Sequence, residues 1–213
     1  MSGRFGVLAL QGDFAAHAAA LRRAGAEAVP VRRCAELAGL DGLVLPGGES
    51  STLLKLMADA PWFETLRRFH DAGGALLGTC AGAILLAREV RPPQPALGLL
   101  DVAVERNAWG RQIDSFAAPL ESAVLGRLEG IFIRAPRLVA CGPAIDVIAR
   151  LPGGEPVLAR QGRVAAATFH PELSGDARVH RWFVERVCRG SAGGAPRGTV
   201  GTASAGVPGL SPS

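Results

Sequence analysis

The residues best suited to covalent chemistry lie in Ala75-Leu76-Leu77-Gly78-Thr79-Cys80-Ala81-Gly82-Ala83, where an apolar run meets a helix-forming run at Gly-x-Cys-x-Gly. Glycines on both sides of a cysteine permit the sharp strand-to-helix turn of a nucleophile elbow. The Cys80 side chain then projects above a sheet edge, and the N–H of Ala81 points to where an oxyanion would develop. The plain alternative is a buried cysteine in a tight turn, with glycine supplying the room. A thiol nucleophile also needs a base and a group that orients the base. Thr168-Phe169-His170-Pro171-Glu172 offers both: His170 ends an apolar run, and Glu172 can accept an imidazole N–H and so fix the tautomer that faces the thiol. The competing histidines read less well. His17 and His70 fall in mid-helix, and His180 stands beside Arg181 in a closing helix, where a solvated surface role is expected.

Pro46-Gly47-Gly48-Glu49-Ser50-Ser51-Thr52 follows another apolar run and opens a helix. A glycine pair lets a ligand approach the backbone, and N–H groups at a helix start can bind a carboxylate, a phosphate or an oxyanion. The alternative is an ordinary capped helix with Ser50 or Ser51 at the N-cap. The segment lacks the Gly-Lys-Ser/Thr of a P-loop, and no Gly-x-Gly-x-x-Gly follows the first strand, so nucleotide-binding fingerprints are rejected. Arginines occur in Glu105-Arg106-Asn107-Ala108-Trp109-Gly110-Arg111-Gln112 and in Phe132-Ile133-Arg134-Ala135-Pro136-Arg137. Guanidinium groups at strand ends can grip a substrate carboxylate with two parallel hydrogen bonds; surface ion pairing is the alternative.

These groups need a scaffold, and periodicity supplies one. Phe5 to Leu10, Ala28 to Val31, Gly42 to Leu45 and Gly74 to Gly78 read as strands. Helical stretches run from Phe14 to Ala24, Ser51 to Ala58, Pro61 to Asp71 and Ala81 to Ala87. Alternation of this kind predicts a parallel sheet with helices on both faces. Between Leu100 and about Val157 the pattern changes to short β-like runs (Val102 to Glu105, Gly130 to Ile133, Ile145 to Ile148), which suggest an antiparallel insertion or sheet edge. Arg163 to Phe169 is a last core strand and Asp176 to Val187 a closing helix. The final segment, Gly190 to Ser213, has 18 Gly, Ala, Ser or Pro and one charge, Arg197, so it is expected to be a disordered tail after a domain spanning residues 1–189.

A chain of 213 residues with 48% apolar residues can fill one sizeable core. The balance of 23 basic and 19 acidic residues, +4 overall, is too mild for a nucleic-acid partner, and aromatics at 5% with no Tyr offer no stacking platform. The N-terminus lacks a charged region followed by an apolar stretch and a cleavage site, and no run reaches the roughly 18 apolar residues of a membrane span. A cytoplasmic location without membrane partners is therefore expected. Cys34, Cys80, Cys141 and Cys188 are irregularly spaced with no Cys-x-x-Cys, so neither a zinc site nor a disulfide framework is indicated.

Taken in order, Gly47-Gly48-Glu49-Ser50, Gly78-Thr79-Cys80-Ala81-Gly82, Glu105-Arg106-Asn107 with Gly110-Arg111-Gln112, Phe132-Ile133-Arg134-Ala135-Pro136 and Phe169-His170-Pro171-Glu172 resemble the class I, triad-type glutamine amidotransferases. Leu10-Gln11-Gly12 and the Arg-Asn-x-x-Gly-Arg-Gln block make the chain similar to the glutaminase-subunit family of pyridoxal phosphate synthase. The resemblance spans about Phe5 to Cys188, with Ser51 where threonine is expected. It implies a three-layer α/β/α sandwich with a mostly parallel, flavodoxin-like central sheet. It further implies Cys80 as nucleophile, His170 as general base and acid, and Glu172 as the orienting carboxylate. Gly48, Glu49, Ser50, Arg106, Ile133 and Arg134 would line an L-glutamine pocket, and Gly47, Gly48 and Ala81 would form the oxyanion hole. The implied activity is hydrolysis of glutamine to glutamate and ammonia without metal or organic cofactor, with the ammonia passed to a (β/α)8-barrel synthase subunit in a hetero-oligomeric complex. A cysteine hydrolase of related architecture and a non-catalytic scaffold are the rival readings. The first leaves Glu49, Arg106 and Arg134 unexplained, and an intact Cys80, His170 and Glu172 set speaks against the second.

Overall fold

The computed structural model of the chain describes residues 3–106 and 115–188. The tail from Gly190 and the motif residues Asn107, Gly110, Arg111 and Gln112 lie outside the described residues.

In chain order the strands are β1 (Arg4–Leu8), β2 (Glu27–Val31), β3 (Gly42–Leu45), β4 (Ala75–Thr79), β5 (Ala87–Arg91), β6 (Leu100–Glu105), β7 (Ser115–Leu120), β8 (Leu128–Ile133), β9 (Arg137–Cys141), β10 (Asp146–Arg150), β11 (Pro156–Gln161) and β12 (Val164–Ala167). The helices are α1 (Phe14–Arg23), α2 (Ser50–Met57), α3 (Trp62–Asp71), α4 (Ala81–Leu86) and α5 (Arg178–Trp182). The central sheet has seven strands in the order β10-β11-β12-β4-β3-β1-β2. From β12 to β2 every neighbouring pair is parallel, and β11 and β10 add an antiparallel edge.

Side-chain alternation along these strands feeds two cores. Phe5, Val7, Val44, Leu77, Ala165 and Ala167 pack with α1 and α5, whereas Leu8, Leu43, Leu45, Leu76, Val164 and Ala166 pack with α2, α3 and α4. Both faces of the sheet are thus covered, which is why β3, β4 and β12 are buried throughout their length and read as continuous apolar runs. The three-layer α/β/α sandwich expected from the sequence is observed. Pro30 sits in β2, an edge strand, where a missing N–H costs no ladder bond on the open side.

The middle region does become the predicted mixture of antiparallel pieces. β6 pairs with β9 antiparallel and with β5 parallel, and β7 and β8 form a separate antiparallel pair. The single helix expected from Asp176 to Val187 divides into α5 and a π-helical segment, Phe183–Cys188. That wider winding leaves Phe183 and Val187, four residues apart, both fully buried.

Register decides where the site forms. Leu45 pairs with Gly78 and Thr79 with Ala167, so β3, β4 and β12 end level with one another. The segments that follow, at Pro46, Cys80 and Thr168, leave the sheet along one edge, the carboxyl edge at which ligands bind in open α/β sheets. Close packing of α4 makes this possible. A Cβ on Gly82 would lie 2.0 Å from the Leu45 carbonyl oxygen, and one on Gly78 would lie 2.4 Å from the backbone of Gly82. Because both obstacles are backbone, Gly82→Ala is expected to destabilise the fold by about 1–3 kcal/mol or more, read as a lower denaturant midpoint; an unchanged midpoint would contradict the packing.

Candidate active site

Cys80 joins β4 to α4 with φ 48° and ψ −104°, a left-handed conformation that a side-chain-bearing residue adopts only under local constraint. Its N–H is bonded to Ala167 O (2.9 Å), which ties the elbow to the end of β12, and its carbonyl accepts from Ile84 N (3.2 Å). The elbow expected from Gly-x-Cys-x-Gly is therefore formed. His170 lies just beyond β12 with its N–H bonded to Ile131 O (2.8 Å), so β8 fixes its backbone. The Cys80 side chain acts electrostatically on the His170 ring, whose Nδ1 lies 2.8 Å from Glu172 Oε1. Cys80, His170 and Glu172 are all buried.

The electrostatics of this trio are those of a buried charged pair. Burial works against charge on the His170 ring, but the interactions with Cys80 and Glu172, and their charges, outweigh it and raise the imidazolium pKa from 6.5 to about 10. Burial likewise pushes the Glu172 carboxyl upward, yet the contacts with His17 and His170 prevail and hold it well below the usual carboxylate range.

A cavity of about 190 Å³ opens in front of the sulfur, lined by Gly48, Glu49, Ser50, Cys80, Ile84, Arg106, Ile133, Arg134 and His170. All six residues expected to bind substrate thus converge on one space with Cys80 and His170. Ile84, one turn along α4, joins them without having been singled out; its place follows from the elbow. Ile133 O lies 4.0 Å from Cys80 Sγ, and the next residue, Arg134, has φ 42°, so a second left-handed residue faces the elbow. Gly47 packs against the pair: a Cβ there would come within 2.4 Å of His170 Cε1 and 3.1 Å of the Cys80 Cβ. Gln11 and Gly12 buttress the same turn from the loop that follows β1. Gln11 Nε2 donates to Glu49 O (3.0 Å), and a Cβ on Gly12 would lie 2.2 Å from Gly47 O.

Two expectations are corrected here. The N-cap of α2 is Glu49, not Ser50 or Ser51; its Oε2 accepts from Thr52 N (3.0 Å) and from the Ser51 hydroxyl. The Ser51 bond, joined by Thr52, overcomes partial burial and lowers the Glu49 pKa to about 2. The other carboxylate oxygen is 3.6 Å from Arg106 Nη2. Ser50 instead donates to Gln94 Oε1 (3.0 Å).

His180 is not a surface residue. It is fully buried, 2.9 Å from His17, which is itself buried and reaches to 3.3 Å of Glu172 Oε2. Arg181 beside it in sequence faces solvent, which is how helical periodicity can hide a buried neighbour. Among the described residues no group of three or more His, Cys, Asp or Glu could hold a metal ion. No helix there is long and apolar enough to cross a membrane.

The fold, the elbow and the similarity to known proteins together define a class I glutamine amidotransferase domain. Residues 7–189 match the SNO glutamine amidotransferase family. Over 188 residues the chain is 54% identical to the pyridoxal 5'-phosphate synthase subunit PdxT of Thermus thermophilus, covering 87% of this chain and 98% of that protein. It is 54% identical over 186 residues to the protein of the same name from Deinococcus radiodurans, covering 84% and 94%. A crystal structure of a glutamine amidotransferase superposes with a TM-score of 0.81 at 50% identity, covering 87% of this chain and 98% of that one. The chain belongs to the SNO glutamine amidotransferase family and is a glutamine amidohydrolase.

The raised His170 and lowered Glu172 pKa values make stability depend on pH. The His170 contribution is full below about 6.5 and is lost as pH rises through about 10, whereas that of Glu172 is present above about 4.5 and is lost on acidification. The thermal midpoint of the wild type should therefore exceed that of His170→Asn at neutral pH, and the gap should close toward about pH 10. A gap that stays constant across that range would refute the charged pair.

Proposed function

We propose that this chain is the glutaminase subunit of a pyridoxal 5'-phosphate synthase, with Cys80 as nucleophile, His170 as proton carrier and Glu172 as the group that orients it. The observation that carries the reading is the Cys80–His170–Glu172 alignment at the mouth of a cavity lined by Glu49, Arg106 and Arg134. The high identity to PdxT subunits across nearly their whole length supports the synthase assignment.

With its proton held by the His170 ring, the Cys80 thiolate attacks the side-chain carboxamide carbon of glutamine, and the carbonyl oxygen takes up the negative charge. Backbone N–H groups of Ala81 and of the Gly47–Gly48 turn stabilise that oxyanion, an interaction worth about 3–4 kcal/mol per donor in measured cases. As the C–N bond breaks, the protonated His170 ring gives its proton to the leaving nitrogen, and ammonia departs from a glutamyl thioester. Water then attacks the thioester, the now neutral imidazole takes its proton, and glutamate leaves with Cys80 regenerated. Arg106 and Arg134 suit the substrate carboxylate, and the capped Glu49 suits its ammonium.

Ammonia released into water would be protonated and lose nucleophilicity. The reading therefore includes delivery to a docked (β/α)8-barrel synthase subunit through an interior path. It also includes control by docking. Gly47 O faces Gly12, so the Gly48 N–H of the same peptide points the opposite way, and Gly48 has φ 126°. A glycine pair lets this peptide reorient at little cost when a partner binds.

Glutamate release from glutamine, measured for the chain alone and with the cognate synthase subunit, tests the reading. Strong stimulation that disappears in Cys80→Ala is expected; equal turnover with and without the synthase would remove the control step, and no turnover in either case would remove the function. Arg106→Ala should raise KM about 10- to 150-fold, the equivalent of one charge-assisted hydrogen bond of about 1.5–3 kcal/mol, with kcat changed far less. A lowered kcat at unchanged KM would take Arg106 out of substrate binding.

A further inference from the structure

Behind the His170–Glu172 pair, polar side chains occupy the seam between β4, α1 and α5, where apolar packing would be the default. His17, His180 and Thr79 are fully buried there. His17 Nδ1 lies 2.9 Å from His180 Nε2, and its Nε2 lies 3.2 Å from Thr79 Oγ1 and 3.3 Å from Glu172 Oε2. Glu172 Oε1 is engaged by His170, so Oε2 turns toward this cluster, buried and without an aligned hydrogen bond among the described residues. His17 Nε2 approaches it at 3.3 Å.

The unpartnered atoms determine where the protons sit. Burial pushes the His180 pKa down to about 3, although the Glu172 charge opposes this and Arg23 of α1 adds to it. His180 then has one N–H. Its Nδ1 is buried with no partner among the described residues. A buried N–H left unpaired is rarer and costlier than a spare acceptor lone pair, so the proton belongs on Nε2 and is donated to His17 Nδ1. A His17 ring that accepts at Nδ1 carries its own proton on Nε2, between Thr79 Oγ1 and Glu172 Oε2. One N–H shared between two oxygens accounts for the imperfect alignment on Oε2.

We propose that His17 is a positioning residue of the amide hydrolysis: its Nε2–H holds the second oxygen of Glu172 so that the first stays aligned on His170, and His180 sets which His17 nitrogen carries the proton. This rests on the reading of Cys80, His170 and Glu172 given above. Without the contact, Glu172 can rotate and exchange its oxygens, and the His170 ring moves with it. The cluster joins three elements that are far apart in sequence, α1, β4 and α5, to the base of the site.

The test compares wild type, His17→Leu and His17→Gln with the cognate synthase subunit present, reading kcat and KM for glutamine and the thermal midpoint of each variant. A glutamine amide nitrogen can stand near the place of imidazole Nε2 and keep the donor. His17→Leu is expected to lose kcat by about 10- to 100-fold, the scale of a small misplacement of catalytic groups, with KM within about twofold. His17→Gln should recover most of that loss. Nitrogen NMR of the wild type should find protonated Nε2 on both His17 and His180. An unaffected kcat in folded His17→Leu, equal losses in both variants, or a His17 proton on Nδ1 would each overturn the proposal. If His17→Leu does not fold, the glutamine variant and the tautomer measurement decide. A wild type that releases no glutamate even with the synthase would overturn the functional reading and this proposal with it, whereas an active wild type with an unaffected leucine variant would overturn this proposal alone.

Discussion

The contact on which the site depends is the approach of α4 to β3, backbone against backbone, at Gly82 and the Leu45 carbonyl. A helix that begins immediately after β4 and packs that closely leaves no room for a relaxed connection, so the joining residue turns through a left-handed conformation. Cys80 occupies that position, and its N–H is retained by Ala167 of the neighbouring strand. Strain at a residue with a side chain persists only where its surroundings over-determine it, and here two parallel strands and a helix do so. Because β3, β4 and β12 end in register, the same constraint that lifts Cys80 also brings Gly47 and His170 to it.

Electrostatics add a second requirement. A carboxylate and an imidazolium removed from water are costly unless each keeps its hydrogen bonds, and truncating one partner of a buried pair strands the other. Glu172 meets this with His170 on one oxygen and His17 near the other. The sheet makes that arrangement available: α1 and α5 lie on the same face, so side chains from both can reach behind the strand ends while Cys80 and the cavity stay on the opposite side of His170.

The sequence made some of this legible and hid the rest for physical reasons. Parallel strands buried on both faces leave short apolar runs between helices, and β1 to β4 and α1 to α4 were readable from these to within a few residues. Short strands outside the parallel core leave no such trace: Ala87–Arg91, Ser115–Leu120, Arg137–Cys141 and Pro156–Gln161 hold their places through pairing, which periodicity does not record. Cys80 and His170 were legible because an elbow needs flanking glycines and a base needs a fixed strand end. The Glu49 cap escaped because serine is the stronger cap former by local propensity; it yields once Glu49 is also held near Arg106. His180 escaped because its burial is decided by α1, a helix 163 residues away from it in the pairing with His17.

The two sides of the cavity are built differently, and this bears on what each can do. Cys80 and His170 sit on the ends of central parallel strands, where packing from both layers holds side chains to fractions of an ångström, as bond-making geometry demands. Arg106, Ile133 and Arg134 come instead from the ends of β6 and β8, which lie outside the central sheet in pieces of two and three strands. On the proposed reading, recognition of a flexible amino acid tolerates such a platform, since a guanidinium gains its hydrogen bonds over a wider range of positions than a nucleophile gains its trajectory. Between the two sides stands the Gly47–Gly48 turn, gripped by Gln11 and Gly12 on one flank and by His170 on the other.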